Sequence, residues 1–135
     1  MSTLKVNTIQ DTSGSSSSTP AQIEQGRAKA WCCINAEGTE TINDSFNVSS
    51  LTDNGTGDYV INFSTALANA NCTVSVNCSR GDDNGGDVAN WGGVHTKATS
   101  SFALGLWQTN SGLSASMLNN RAEYCEICDL VIFGD

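Results

Sequence analysis

Two of the six cysteines in this 135-residue chain, Cys125 and Cys128, form a Cys-x-x-Cys motif, which is a candidate metal-binding pattern. Such a motif binds zinc when a turn brings both thiolates to one side and a second pair of ligands completes the tetrahedron. Here the flanking residues have the apolar pattern of a strand, which points positions 125 and 128 to opposite faces. No second Cys-x-x-Cys exists, and thioredoxin-type chemistry needs a helix N-terminus that a strand does not provide. The sequence therefore predicts no metal and no cofactor.

His95 is the single histidine and so the only conventional general base. Nucleophilic catalysis also needs a nucleophile and an orienting group, and no Gly-x-Ser-x-Gly elbow is present. A lone histidine on a glycine-rich strand is more often a structural or interfacial residue than a catalytic one. We expect no catalytic residues and no enzymatic activity. A cytosolic hydrolytic or metal protein stays an alternative that requires His95 or the Cys-x-x-Cys motif in a formed cleft.

Paired carboxylates could act on glycosidic bonds, and the acidic clusters are Asp53 with Asp58, and Asp82, Asp83 and Asp87. Both clusters lie in turns rich in Gly and Asn, where Asp is favoured because its side chain bonds nearby backbone. Solvated turns lack the apolar pocket that raises the pKa of one carboxyl. A calcium site in the second cluster stays open, although the spacing is not that of an EF-hand.

The charge balance argues against nucleic acid as a partner. The chain has 6 basic and 14 acidic residues and a formal net charge of −8. A nucleic-acid binder needs clustered Lys and Arg to displace counterions from phosphate, and here the basic residues are scattered. No apolar run approaches the ~20 residues that span a bilayer, so we expect no membrane insertion. The N-terminus lacks the apolar run of an export signal, which predicts synthesis in a reducing cytoplasm and cysteines that act first as small buried hydrophobes.

Residue alternation along the chain predicts an all-β fold, a β-sandwich or a small β-barrel-like domain. Thirteen glycines and one proline mark turns between short segments. Ala30, Cys32 and Ile34 should share one strand face, with Trp31 and Cys33 on the other. The same spacing predicts two further strand faces, Tyr59/Ile61/Phe63 and Cys72/Val74/Val76/Cys78. Between the first two faces, Phe46-Asn47-Val48 is assigned to one strand, and Asn54-Gly55 is a strong hairpin signal. Further strands are predicted at 91–97, 102–107, 113–118 and 124–133, which gives seven or eight in all.

The first 26 residues differ from the rest and predict an extended N-terminal arm with a Ser-rich linker. Leu4, Val6 and Ile9 have strand-like spacing, and residues 11–20 read DTSGSSSSTP, a flexible composition. Residues 21–28 could form a turn of helix or simply lead into the first strand. A short apolar peptide on such a tether is either a disordered tail or a docking strand that orders on a partner. The predicted division is therefore an arm over 1–26 and a β-rich head domain over 27–135.

Two stretches of the sequence resemble the tail-fibre and related virion fibre proteins of bacteriophages, notably those that infect cyanobacteria. The opening MSTLKVNTIQDTSG resembles their N-terminus. The segments RAKAW at 27–31, DSFNVSSLTDNGTGDYVINF at 44–63 and ALANANCTVSV at 66–76 resemble a β module found in those fibres. The likeness covers residues 1–12 and 27–78, just over half of the chain.

The resemblance implies a non-enzymatic structural protein of the virion, assembled in the host cytoplasm. It implies a homotrimeric β head, with Leu4, Val6 and Ile9 docking the arm onto other virion proteins. Six framework positions follow from it: Trp31, Phe46, Val48, Tyr59, Ile61 and Phe63. Cys32 and Cys33 replace the Val-Asn-like pair of the module, and the chain is much shorter than a usual fibre. That shortness keeps a capsid decoration protein open as the alternative.

A recognition surface, if the head has one, is expected in the loops after residue 80. Trp91, His95 and Trp107 are the candidate receptor-binding residues, because aromatic rings stack on sugar faces while polar neighbours bond hydroxyls. Such a surface would bind a glycan of the host. The alternative is that all three residues pack in the core or along the trimer axis.

Overall fold

The computed structural model describes residues 2–36, 38–55, 57–80, 90–108 and 125–134. These residues form ten strands and one short helix. In chain order the elements are β1 Ile9–Gln10, β2 Ser17–Ser18, α1 Pro20–Gly26, β3 Ala28–Asn35, β4 Thr41–Phe46, β5 Val48–Asp53, β6 Asp58–Phe63, β7 Cys72–Arg80, β8 Asn90–Lys97, β9 Ser101–Gln108 and β10 Cys125–Gly134.

Eight of the strands form two antiparallel sheets of four. The first sheet has the strand order β4-β3-β10-β7 and the second has the order β5-β6-β9-β8. Alternate residues of both sheets meet in one buried cluster, which is a sandwich-like arrangement. The all-β prediction is therefore confirmed. The predicted strand at 113–118 lies outside the described residues.

The core consists of the residues that face inward from the central strands, as the alternation predicts. In the first sheet, Ala30, Cys32 and Ile34 of β3 are buried. In the second sheet, Tyr59, Ile61 and Phe63 of β6 are buried. β9 and β10 contribute six more buried residues: Phe102, Leu104, Leu106, Cys128, Leu130 and Ile132. Burial of each Leu, Ile or Phe side chain in this core stabilises the fold by about 1.5–3 kcal/mol.

The chain passes from the first sheet to the second at Asn47, and here the prediction of one continuous strand is wrong. β4 ends at Phe46 and β5 begins at Val48, because Asn47 has a φ of 58°, in the left-handed region that Asn tolerates. The side-chain amide of Asn47 stabilises this passage between the two sheets. Its Nδ2 donates to Lys29 O and to Thr65 O, both at 3.0 Å, and its Oδ1 accepts from Thr65 N at 2.8 Å.

The hairpin between β5 and β6 forms at the predicted position. Asn54 N donates to Asp58 O at 2.8 Å, and Gly55 N donates to the Asp53 carboxylate at 2.7 Å. Gly55 and Gly57 have φ values of 116° and 67°, which residues other than glycine rarely adopt. The Asn-Gly signal therefore located this turn correctly.

The N-terminal segment is more ordered than its composition predicts, and the extended arm is not confirmed. β1 pairs with β2, and the Asp11 carboxylate accepts from Ser13 Oγ, Ser15 Oγ and Ser15 N, each at 2.9 Å. The Ser15 and Ser13 hydroxyls lower the pKa of the Asp11 carboxyl. The serines of the expected linker thus close a turn instead of leaving the chain free.

The helix α1 follows this turn and is fixed at both ends. Thr19 caps it in a capping box with Gln22, and Pro20 occupies its first turn. At the other end Glu24 accepts from Lys29 Nζ at 2.5 Å and pairs with Arg27 at 2.8 Å. The bond from Lys29 is the main reason why the pKa of the Glu24 carboxyl is lowered. These contacts connect α1 to the start of β3.

The two sheets approach closely at Gly92, on β8. A β-carbon at this position would lie 2.7 Å from Val76 Cγ1 and 2.9 Å from Cys78 Sγ. Both atoms belong to β7 in the first sheet. Only a residue without a side chain fits between them.

We predict that Gly92→Ala destabilises the fold by about 1–3 kcal/mol, since it overpacks the contact between the sheets. Gly93→Ala is the matched control, because its β-carbon would meet Trp107 Cζ3 at an ordinary 3.5 Å. Both changes remove one glycine from the same strand, so their effects on the unfolded chain cancel. Urea unfolding of the two variants measures the difference. Equal stability would show that the sheets are not closely packed at Gly92.

Candidate functional site

Trp107 lies on the outer face of the second sheet, above two glycines. Because Phe102, Leu104 and Leu106 of β9 face the core, Trp107 points away from it. The outer edge of its six-membered ring covers Gly105, where a β-carbon would lie 2.6 Å from Cζ2, and it reaches Gly93 on β8. Trp107 is half-buried. The ring therefore lies against the backbone at these two glycines, and part of it stays accessible to solvent.

His95 and Asp58 meet beside this ring, although they belong to strands that are not neighbours. Asp58 on β6 lies opposite Gly105 on β9, and Gly105 lies opposite Gly93 on β8. Strands two places apart are about 10 Å apart, so the two side chains can meet only where the strand between them carries none. The distance from His95 Nε2 to Asp58 Oδ1 is 3.5 Å. The side chains of His95 and Asp58 are 44% and 25% exposed, which leaves both polar groups within reach of a ligand.

A β-bulge presents His95 on this face. Val94 pairs with Leu104 and Thr96 pairs with Ala103, so His95 is an extra residue in the ladder. Bulges of this kind re-aim a side chain and are common next to binding sites. We call Asp58, Gly93, His95, Gly105 and Trp107 the tryptophan face.

The tryptophan face combines an aromatic ring with an acceptor carboxylate and an imidazole, which suits a ligand with one apolar and one hydroxyl-rich side. Thr96 Oγ1 also lies 3.4 Å from His95 Nδ1, which gives the order hydroxyl, imidazole, carboxylate. Both imidazole contacts are longer than the ~2.6–3.2 Å usual between a nucleophile, its base and the orienting group. His95 and Thr96 are also exposed to solvent. The same groups can donate hydrogen bonds to the hydroxyls of a ligand and accept hydrogen bonds from them.

The structure brings two of the three candidate receptor-binding residues together. His95 and Trp107 share the tryptophan face, and they lie on β8 and β9, which correspond to the strands predicted at 91–97 and 102–107. Neither residue belongs to the buried core. Trp91 lies opposite Trp107 in the β8–β9 ladder, and its side chain is outside the described part of the structure.

Sequence reasoning missed Asp58, Gly93 and Gly105. Asp58 was assigned to a turn, and its partner His95 lies 37 positions along the chain. The available signal was glycine at positions 93 and 105 within alternating strands, since such glycines often mark a close approach of another group.

The outer face of the first sheet carries a second surface, which is apolar. Phe46, Trp31 and Val131 lie side by side across β4, β3 and β10, and Phe133 follows on β10. Phe46 is 51% exposed and Phe133 is 38% exposed. We call these four residues the apolar face. Phe46 is exposed, in contrast to the buried Tyr59, Ile61 and Phe63, because it lies opposite Trp31 on the outer face of the first sheet.

A groove of about 360 Å³ adjoins the apolar face and contains a thiol. Trp31, Cys33, Asn77, Asp129 and Val131 contribute to its lining. Burial, followed by the Asp129 carboxylate, raises the pKa of the Cys33 thiol. Burial also raises the pKa of Cys32, which faces the core, to about 12. The adjacent cysteines point to opposite sides of β3, as the alternation predicts.

The three docking residues of the predicted arm are exposed. Leu4, Val6 and Ile9 are 84%, 40% and 54% exposed. Together with Ile23 of α1 they line a groove of about 480 Å³. This position is compatible with docking, which itself stays a prediction.

No metal site is formed by the described residues, among which no three His, Cys, Asp or Glu side chains are grouped to hold an ion. In the Cys-x-x-Cys motif, Cys125 lies opposite Arg80 and Cys128 lies opposite Cys78, with a bulge between the two pairs. The loop proposed for calcium, residues 82–87, lies outside the described residues. Within the part of the chain described, no helix is long and apolar enough to cross a membrane.

No protein-family model, no curated protein and no solved structure matches this chain.

Proposed function

We propose that this protein is a non-enzymatic structural protein of a bacteriophage virion whose β-sandwich head binds a saccharide of the host surface. The tryptophan face is the binding site in this proposal. The virion setting rests on the resemblance of residues 1–12 and 27–78 to phage fibre proteins.

The observation that carries the proposal is the position of the Trp107 ring above Gly105 and Gly93, next to the His95–Asp58 pair. Saccharides present apolar C–H faces and hydroxyl edges, so they bind an aromatic ring that has polar groups beside it. Glycine at both positions lets the ring lie directly against the backbone of β8 and β9. Asp58 and His95 then supply acceptors and donors for hydroxyl groups.

The apolar face supports self-association. Exposed apolar side chains in a contiguous patch mark interaction surfaces, and Trp31, Phe46, Val131 and Phe133 form such a patch. In our proposal these residues are buried between copies of the chain in a homotrimer. The net charge of −8 keeps the assembled particle soluble. The N-terminal segment, through Leu4, Val6 and Ile9, attaches the trimer to other virion proteins.

A capsid decoration protein is the second candidate, and the exposed apolar residues favour it equally. In that case the apolar face and the arm contact neighbouring capsid proteins, and the tryptophan face needs no ligand. Saccharide binding by the isolated protein separates the two candidates.

We predict that Trp107→Ala weakens saccharide binding by at least about tenfold, which corresponds to about 1.4 kcal/mol. Gly105→Ala should weaken binding as well, because its β-carbon displaces the ring while the fold is kept. Thr52→Ala is the control, since Thr52 lies on the edge strand β5 of the same sheet. A glycan array of bacterial surface saccharides followed by calorimetry with the strongest ligand measures the effect. An array without any bound saccharide, or unchanged affinity in Trp107→Ala, contradicts the proposal.

We predict that light scattering gives a mass three times the 14.1 kDa of one chain, about 42 kDa. Phe46→Ser should lower the mass toward that of the monomer, because it places a hydroxyl in the subunit interface while the side chain is largely exposed within one chain. Leu4→Ser, in the arm, should leave the mass unchanged. A monomeric parent protein would rule out the trimer.

A further inference from the structure

Two thiols face each other across neighbouring strands of the first sheet. Cys78 on β7 is the direct partner of Cys128 on β10, and their sulfur atoms are 3.3 Å apart. Directly opposed residues of an antiparallel pair have α-carbons about 4.5–5.5 Å apart, which falls within the range that a disulfide spans. The sulfurs need to approach by about 1.3 Å to reach bonding distance. Small side-chain rotations supply a movement of this size.

The two thiols differ in their access to solvent. Cys128 is completely buried among Leu130, Ile132 and the other core residues. Cys78 is half-buried and lies on β7, which forms one edge of the first sheet. A small oxidant can therefore reach Cys78 first, and Cys128 is placed to attack the product.

We propose that Cys78 and Cys128 form a reversible disulfide by exchange with a low-molecular-weight disulfide such as oxidised glutathione. The Cys78 thiolate attacks one sulfur of the glutathione disulfide, whose S–S bond breaks and releases one reduced glutathione. The Cys128 sulfur then attacks the Cys78 sulfur of the mixed disulfide, and the Cys128 proton passes to the departing glutathione sulfur. The Cys78–Cys128 bond forms and the second reduced glutathione leaves. Two protein thiols are oxidised and one small disulfide is reduced.

The bond would connect the edge strand β7 covalently to the central strand β10. Cys78 also contacts the narrow gap at Gly92, where a β-carbon would lie 2.9 Å from its sulfur. Oxidation therefore adds a covalent bond next to the close contact between the two sheets at Gly92. The reduced chain holds this region through strand pairing and packing, without a covalent bond.

Cys32, Cys33 and Cys72, whose side chains the structure also describes, are poorer partners. Cys32 and Cys33 are adjacent but point to opposite sides of β3, and the raised pKa of each thiol suppresses its thiolate. Cys72 shares β7 and its inward face with Cys78, but its partner on β10 is Gly134. Cys72→Ala is therefore a control that matches Cys78→Ala in strand, direction and chemistry.

The test exposes the reduced full chain to buffers of graded ratio of oxidised to reduced glutathione. Intact mass and fragmentation spectra then locate the bond. We expect the parent protein and Cys72→Ala to lose the mass of two hydrogen atoms and to join residues 78 and 128. Oxidation should raise the melting temperature by roughly 5–10 °C, because the bond closes a long loop in the unfolded chain. Cys78→Ala should show neither change.

Three outcomes overturn the proposal. They are a chain that stays fully reduced, glutathione adducts that never resolve, and a disulfide that joins any other pair. A disulfide to Cys125 is the competing outcome that needs its own variant. If the proposal is correct, Cys125→Ala still forms the Cys78–Cys128 bond. Saccharide binding is measured separately, so failure of either proposal leaves the other standing.

Discussion

The burial of every second side chain between two sheets is the constraint on which the rest of this structure depends. Leu104 and Leu106 face the core, and this forces Gly105 and Trp107 to the outer surface of the same strand. Cys32 faces the core, and this forces Trp31 and Cys33 outward. A slip of one residue in either strand would exchange core and surface completely. The tryptophan face and the apolar face thus consist of the outward residues of strands whose alternate residues form the core.

The two outer faces are different because their outward residues differ in size. On the second sheet, Gly105 and Gly93 are neighbours in adjacent strands, so a ring and two polar side chains can occupy the space above them. On the first sheet, Phe46, Trp31 and Val131 are neighbours, and they form a continuous apolar surface. The first arrangement suits a small polar ligand with an apolar side, and the second suits another protein surface. One sandwich therefore offers two kinds of contact.

The alternation in the sequence was sufficient to predict the all-β class, the buried faces of β3 and β6 and the partly buried face of β7, because a period of two depends only on neighbouring residues. It was not sufficient at Asn47, where a positive φ and three side-chain hydrogen bonds turn the chain into the other sheet. The composition of residues 11–20 predicted a linker, but hydrogen bonds to the Asp11 carboxylate close a turn there. The pairs His95–Asp58 and Cys78–Cys128 depend on the strand order of each sheet, which no local pattern specifies. His95 and Trp107 could be selected from their residue types, whereas the role of Asp58 could be identified only from the strand order of the second sheet.

The most direct test of the account is an NMR titration of the labelled protein with soluble fragments of bacterial surface polysaccharide. We expect the backbone signals of Gly93, His95, Gly105 and the indole signal of Trp107 to shift, while those of Trp31 and Val131 on the other sheet stay in place. Shifts confined to the apolar face, or no shifts at all, would contradict a saccharide site at Trp107.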